Sequence, residues 1–204
     1  MSPHARSDNS NVLPVILAVD AGNSRVKWAL HDGRRYIRGG WVFNGELGGL
    51  DAAWSEMPSM ATAVIANVAG ERVHGQIESL LARRKIAVHF VVGVRSQCGV
   101  VSGYDDPAQL GPDRWAALIG ARTRYSGDCL VINVGTAMTV DVLNSAGEFL
   151  GGIIVPGFEL MHESLASRTA LLSAEKGQYS VFPRNTRDAI TSGAIQALCG
   201  AVER

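Results

Sequence analysis

Apolar and polar positions along this chain follow two rhythms, one of period two and one of helical spacing. The first apolar run, Val12 to Val19, closes at Asp20, and its part Ile16 to Val19 reads as a buried strand. RVKWAL (25–30) alternates and predicts a second strand. His31-Asp32-Gly33 is turn chemistry, and YIRGGWVF (36–43) predicts a third strand. Residues 47–58 fit a helix stopped by Pro58, and Thr62 to Val68 is a strand rich in Val and Ile. From Gly70 to Lys85, the residues Val73, Ile77, Leu80 and Leu81 recur at helical spacing, and Ile86 to Val92 predicts a further strand. That strand–helix–strand unit places a parallel pair in the sheet.

Residues 98–114, CGVVSGYDDPAQLGPDR, read as a loop leading into a helix that carries Trp115, Leu118 and Ile119. TRYSGD (123–128) reads as a linker. LVINVGTAMTVDVL then resumes the opening pattern, with a turn at Asn144 to Gly147 and a strand FLGGIIVPG after it. Helices are expected from about Phe158 to Leu172 and from about Thr186 to Arg204. ILAVDAGNSRVKWAL superposes on LVINVGTAMTVDVL at an offset of 113, which sets Asp20 on Asn133, Gly22 on Gly135 and Asn23 on Thr136. Two such copies predict a duplicated, two-lobed α/β molecule with a cleft between the lobes. The expected organisation is a loose polar tail over 1–11, a first lobe over 12–122 and a second over 127–204.

Composition narrows the function classes. The chain has 204 residues, 47% hydrophobic and 19% charged, enough for a hydrophobic core. Lys+Arg and Asp+Glu are both 19, so no global positive field recruits nucleic acid or an anionic membrane. Cys98, Cys129 and Cys199 form no CxxC pair, which indicates neither a zinc site nor a disulfide scaffold and fits a reducing cytoplasm. Val12 to Val19 is too short to span a bilayer, and no small-residue cleavage site comes after it.

The glycine turns are the first candidate chemistry. A Gly turn between strands points backbone N–H groups at an anion, and small polar side chains add donors. GNSRVK lacks the GKS/T of a Walker A loop, and residues 25–30 alternate like a strand instead of opening a helix. Asp20, at a strand end, suits magnesium held through water, and it suits a turn-capping role equally well. GPDR is the second candidate. Pro112 suits a first helical turn, and the helix dipole favours an ionised Asp113 beside Arg114. That pair could accept a hydroxyl proton and steady phosphate charge, although helix stabilisation alone explains Asp113 at least as well. His162-Glu163 fails the HExxH pattern because residue 166 is Ala. Gly151-Gly152 and Pro156-Gly157 suggest a strand that approaches a neighbour closely.

Taken in order, DAGNSRVKWAL, YDDPAQLGPDRWAALIGA, NVGTAMT, GGIIVPG and NTRDAITSG resemble the type III pantothenate kinases, a family that includes proteins called Bvg accessory factors. The resemblance runs from Ile16 onward. It implies two ribonuclease H-like lobes of the acetate and sugar kinase, Hsp70 and actin superfamily. It also implies ATP-dependent phosphorylation of pantothenate, the first step of coenzyme A synthesis, in a cytoplasmic homodimer. The family's first phosphate motif falls on Asp20, Ala21, Gly22, Asn23, Ser24, Arg25, Val26 and Lys27. Its substrate tyrosine falls on Tyr104, and its substrate motif on Gly111, Pro112, Asp113 and Arg114, with Asp113 as proton acceptor. Thr136 falls on a nucleotide-contacting threonine, and Thr186 on a substrate-contacting threonine near the dimer interface. The implied cofactors are Mg²⁺ with ATP and a monovalent cation, K⁺ or NH₄⁺. Asn133 stands where the family has an aspartate for that cation and would coordinate it more weakly, through its amide oxygen. The family continues with further strands, helices and a Gly-rich adenosine segment, so the second lobe is expected to be incomplete. A non-catalytic regulatory relative of the same fold is the alternative function. A phosphatase of the superfamily fits less well, because Tyr104 and Gly111 to Arg114 match pantothenate contacts.

Overall fold

The computed structural model describes residues 15–55, 62–168 and 175–204. The expected tail over 1–11 lies outside them, as do the ends of the helices expected over 47–58 and 158–172. The chain divides into two compact units, Met1–Val91 and Val92–Arg204.

The first unit is built on a five-stranded sheet. Its strands are β1 (Ile16–Ala21), β2 (Arg25–His31), β3 (Tyr36–Phe43), β4 (Thr62–Asn67) and β5 (Ala87–Phe90), in the spatial order β3-β2-β1-β4-β5. β1, β2 and β3 form an antiparallel meander, while β4 pairs parallel with both β1 and β5. That order and those directions are the ribonuclease H-like pattern. Helices α1 (Gly48–Ser55) and α2 (Glu71–Arg83) bury Leu50, Trp54, Val73, Ile77 and Leu81 in one core with Leu17, Val19, Val26, Leu30 and Ile65. Side chains alternate across a strand, so Asp20 and Lys27 emerge on the face away from that core.

The second unit holds β6 (Ser96–Gln97), β7 (Val100–Ser102), β8 (Cys129–Val134), β9 (Ala137–Leu143) and β10 (Glu148–Pro156), in the order β6-β7-β10-β9-β8. Its helices are α3 (Pro112–Arg124), α4 (Phe158–Arg168) and α5 (Thr186–Glu203). The pattern reading had residues 98–114 as a loop and placed the lobe boundary between 122 and 127. The division falls at Val91 instead. The reason is long-range contact: β7, joined to β6 by a hairpin, runs parallel to β10, and α3 packs on β8 and β9. The helix also runs through Arg124, into the expected linker.

The internal repeat is present in the backbone. β8, β9 and β10 form a second antiparallel meander. At the turns, the Gly22 N–H donates to the Arg25 carbonyl at 3.0 Å and the Gly135 N–H to the Ala137 carbonyl at 2.9 Å. The second turn is one residue shorter, so Asp20 faces Lys27 whereas Asn133 faces Thr139.

Candidate active site

In the first unit, the Lys27 ammonium donates to Asp20 Oδ2 at 3.2 Å. Both side chains are substantially exposed, so the pair adds little stability and its groups remain open to a ligand. The Asn44 amide nitrogen donates to the carbonyls of Gly22 at 2.8 Å and Asn23 at 2.7 Å, and its N–H donates to the Ser24 carbonyl at 3.2 Å. Three successive peptide groups of the turn are thereby fixed from the end of β3. The Arg25 guanidinium lies 4.5 Å from the ring centre of Trp41 and 5.1 Å from that of Phe43, a cation–π arrangement that holds the side chain over the sheet.

In the second unit, Gly111 caps α3, Pro112 opens it and Asp113 lies in its first turn. The Asp113 carboxylate accepts the N–H of Arg114 at 2.9 Å. Arg114 turns inward and is 4% exposed. Its Nε donates to both carboxylate oxygens of Asp141, at 3.2 and 3.1 Å, its Nη2 also donates to Asp141, and its Nη1 donates to the Tyr104 hydroxyl at 3.0 Å. Burial opposes the charge on Arg114, but the hydrogen bonds to Asp141 and Tyr104 outweigh it and raise the pKa above the ordinary arginine value. The rings of Tyr104 and Phe149 meet at 5.3 Å and flank the cation. Arg95 secures the Tyr104 loop by donating to the carbonyls of Ser102, Tyr104 and Asp105.

Asp141 is fully buried on β9, two residues from Thr139 and on the same face. The Asn133 amide nitrogen donates to the Thr139 hydroxyl at 3.4 Å. One sheet face therefore carries the second glycine turn and the Arg114 cluster together. The Thr136 carbonyl accepts the N–H of Gly157, which ties this turn to the start of α4.

The family model for type III pantothenate kinase matches residues 16–204. The chain belongs to the type III pantothenate kinase family. A type III pantothenate kinase from Nitrosospira multiformis is 46% identical over 191 residues, which cover 94% of this chain and 73% of the relative. One from Nitrosomonas eutropha is 46% identical over 196 residues, 95% of this chain and 76% of the relative. Among solved structures, a conserved Baf family protein from Campylobacter jejuni shares the fold, with a TM-score of 0.52 and 20% identity over 90% of this chain and 75% of that one.

Of the candidate site residues, Tyr104 and Gly111 to Arg114 come together in the second unit, with Asn133 and Thr136 at and beside the glycine turn of the same unit. Asp20 to Lys27 form the corresponding turn of the first unit. Thr186 stands apart at the start of α5, exposed, on the rim of an apolar groove of about 880 Å³ lined by Leu160, Met161, Leu165 and Ile190. Magnesium accompanying a nucleotide needs one or two carboxylates plus phosphate oxygens. Asp20 fits that need, with a half-exposed carboxylate engaged by Lys27 through Oδ2. At Asn133 the amide nitrogen faces the Thr139 hydroxyl, so the oxygen is the atom whose chemistry would suit a cation. Among the described residues, no cluster of three or more His, Cys, Asp or Glu could hold a metal by itself.

Sequence reasoning missed Asp141, Phe149, Arg95 and Asn44. Asp141 did leave a signal, since an acid within the apolar strand MTVDVL demands a partner if the strand is buried.

Proposed function

We propose that this chain transfers the γ-phosphoryl group of ATP to the primary hydroxyl of pantothenate, giving 4'-phosphopantothenate and ADP and so opening coenzyme A synthesis. One observation carries the reading: Arg114, locked by Asp141 and bonded to Tyr104, follows Asp113 directly in the first turn of α3. The names of the relatives favour this enzyme over a regulatory role.

Asp113 accepts the hydroxyl proton as the oxygen attacks phosphorus, from its place in the first turn of α3. Arg114 and Tyr104 bind and orient pantothenate, with Gly111 and Pro112 setting the approach of the helix. The glycine turns at Asp20 to Lys27 and at Thr136 hold the ATP phosphates through N–H groups and small side chains. Asp20 would hold Mg²⁺, which when bound would supply charge neutralisation at the phosphates. Asn133 would hold K⁺ or NH₄⁺ through its amide oxygen, more weakly than a carboxylate would. Phosphoryl transfer needs alignment and electrostatics rather than covalent chemistry, so a sparse set of residues is enough. We also assign a homodimer in the cytoplasm, with Thr186 reaching substrate near the subunit boundary. No helix among the described residues is long and apolar enough to cross a membrane.

The test is ADP release by the purified chain with ATP and Mg²⁺, with and without pantothenate and K⁺, beside Asp113→Asn. Release should require pantothenate and fall roughly 100-fold or more in the variant. Near-normal turnover by Asp113→Asn would remove its role as base, and release indifferent to pantothenate would remove the substrate.

A further inference from the structure

We infer that Asp141 is a positioning residue, which holds the Arg114 guanidinium in the orientation that presents Nη1 and Tyr104 to the substrate. This rests on the pantothenate reading above and adds a residue to it. A guanidinium has five N–H donors in a planar fork. Asp141 takes the Nε edge of that fork and Tyr104 takes one hydrogen of Nη1. With one Nη2 hydrogen also on Asp141, three of the five donors are engaged among the described residues, and one hydrogen on each Nη remains for an acceptor. A counter-charge serving only neutrality would do so from any side. Here the carboxylate sits on the edge formed by Nε and Nη2, so the Nη1 end is directed at Tyr104 and not at a counter-charge.

The arrangement is rigid before any substrate arrives. Asp141 is fully buried, and it belongs to β9, which is paired on both sides by β8 and β10. Its strand partner is Gly152, where an added Cβ would lie 2.1 Å from Asp141 Oδ1 and 2.5 Å from the Val140 carbonyl oxygen. The glycine expected to permit a close approach therefore makes room for the carboxylate that grips Arg114. An arginine fixed in this way loses less conformational freedom when it binds its ligand.

The test compares wild type with Asp141→Asn, Gly152→Ala and Arg114→Ala. Gly152→Ala keeps the charge of Asp141 but displaces its carboxylate and crowds the Val140 carbonyl, so melting temperatures are measured for both variants, and the wild-type Arg114 Nε–H resonance decides the matter if both fold poorly. KM for pantothenate should rise roughly 10- to 100-fold in both Asp141→Asn and Gly152→Ala, with KM for ATP within about twofold of wild type. The double variant Asp141→Asn with Arg114→Ala should be no worse than Arg114→Ala alone. Independently of activity, the Arg114 Nε–H resonance in ¹⁵N spectra should exchange slowly with water in wild type and rapidly in Asp141→Asn. A lower melting temperature with unchanged KM for pantothenate, or a fast-exchanging Nε–H in wild type, would overturn the inference. A wild-type chain that is silent toward pantothenate would overturn the substrate reading, while the Arg114 resonance would still decide whether Asp141 holds the guanidinium.

Discussion

Gly111 has room for a hydrogen and little more: a Cβ there would lie 2.7 Å from Asp113 Oδ1. Its backbone φ is −52°, a value any residue adopts, so the restriction comes from the carboxylate alone. Gly111→Ala should therefore swing the Asp113 side chain aside without unfolding α3. The expected result is a kcat lowered about tenfold or more at unchanged KM for ATP, read by steady-state kinetics. Wild-type kcat would mean that this Asp113 rotamer is not the working one. Asp113 and Arg114 were visible in the sequence because GPDR marks a helix start. Their orientations were not. An arginine at a helix start is expected in solvent, whereas Arg114 turns to a carboxylate 27 positions later. Only the fold brings those two together, and sequence spacing carries no trace of it. Losing one partner of such a buried pair typically costs about 3–5 kcal/mol, so an acid inside an apolar strand pattern is a reason to look for a distant cation.

Elements with strong local rhythm were legible, and elements made by distant pairing were not. β2 alternates and α2 carries its apolar stripe, so both lie within a few residues of expectation. β6 and β7 are two and three residues long and form a hairpin across Cys98-Gly99, and β7 joins the sheet only through β10, so the short local pattern gave little sign of them. α5 announces its start through Asn185, whose side chain accepts the N–H of Asp188 at 2.9 Å. Asn185→Ala should cost about 1 kcal/mol of stability by chemical denaturation, and no change would mean the cap is redundant. Asp188 accepts the Gln178 N–H and a hydrogen bond from the Asn185 amide, and these hold its pKa below the usual 3.8. A depressed carboxylate pKa stabilises the fold above the unfolded-state value, and the contribution is lost as pH falls through the lower folded value. Acid melting curves of Asp188→Asn should therefore show a weaker fall in stability below about pH 4 than wild type. Parallel curves would show that this contact does not contribute.

At the scale of the whole molecule, the repeat sets up a comparison between two equivalent strands. β1 and β8 both begin a meander and both lead into a glycine turn. β1 lies between β2 and β4, with Leu17, Val19 and Ala21 buried. Among the described residues β8 pairs only with β9, and Leu130, Ile132 and Val134 are exposed, Val134 at 70%. The chain spans about three quarters of the length of the pantothenate kinases it matches. Sequence alone made β8 look like a copy of β1, because pattern reports which residues could be buried and not whether another element packs on that face, as α1 and α2 do over β1. The difference has a measurable consequence. Backbone N–H groups paired on both sides of a strand exchange only through larger openings, whereas those on an open edge exchange through local fluctuation. Hydrogen exchange on the purified chain should therefore find β1 protected throughout. In β8, protection should be confined to the N–H groups bonded to β9, with the alternate ones fast. Replacing Ile132 with Lys should leave β1 protection unchanged and lower the fluorescence of a bound hydrophobic dye, because it removes apolar surface from that strand alone. Equal protection along β1 and β8 would show instead that the free edge of β8 is covered in solution.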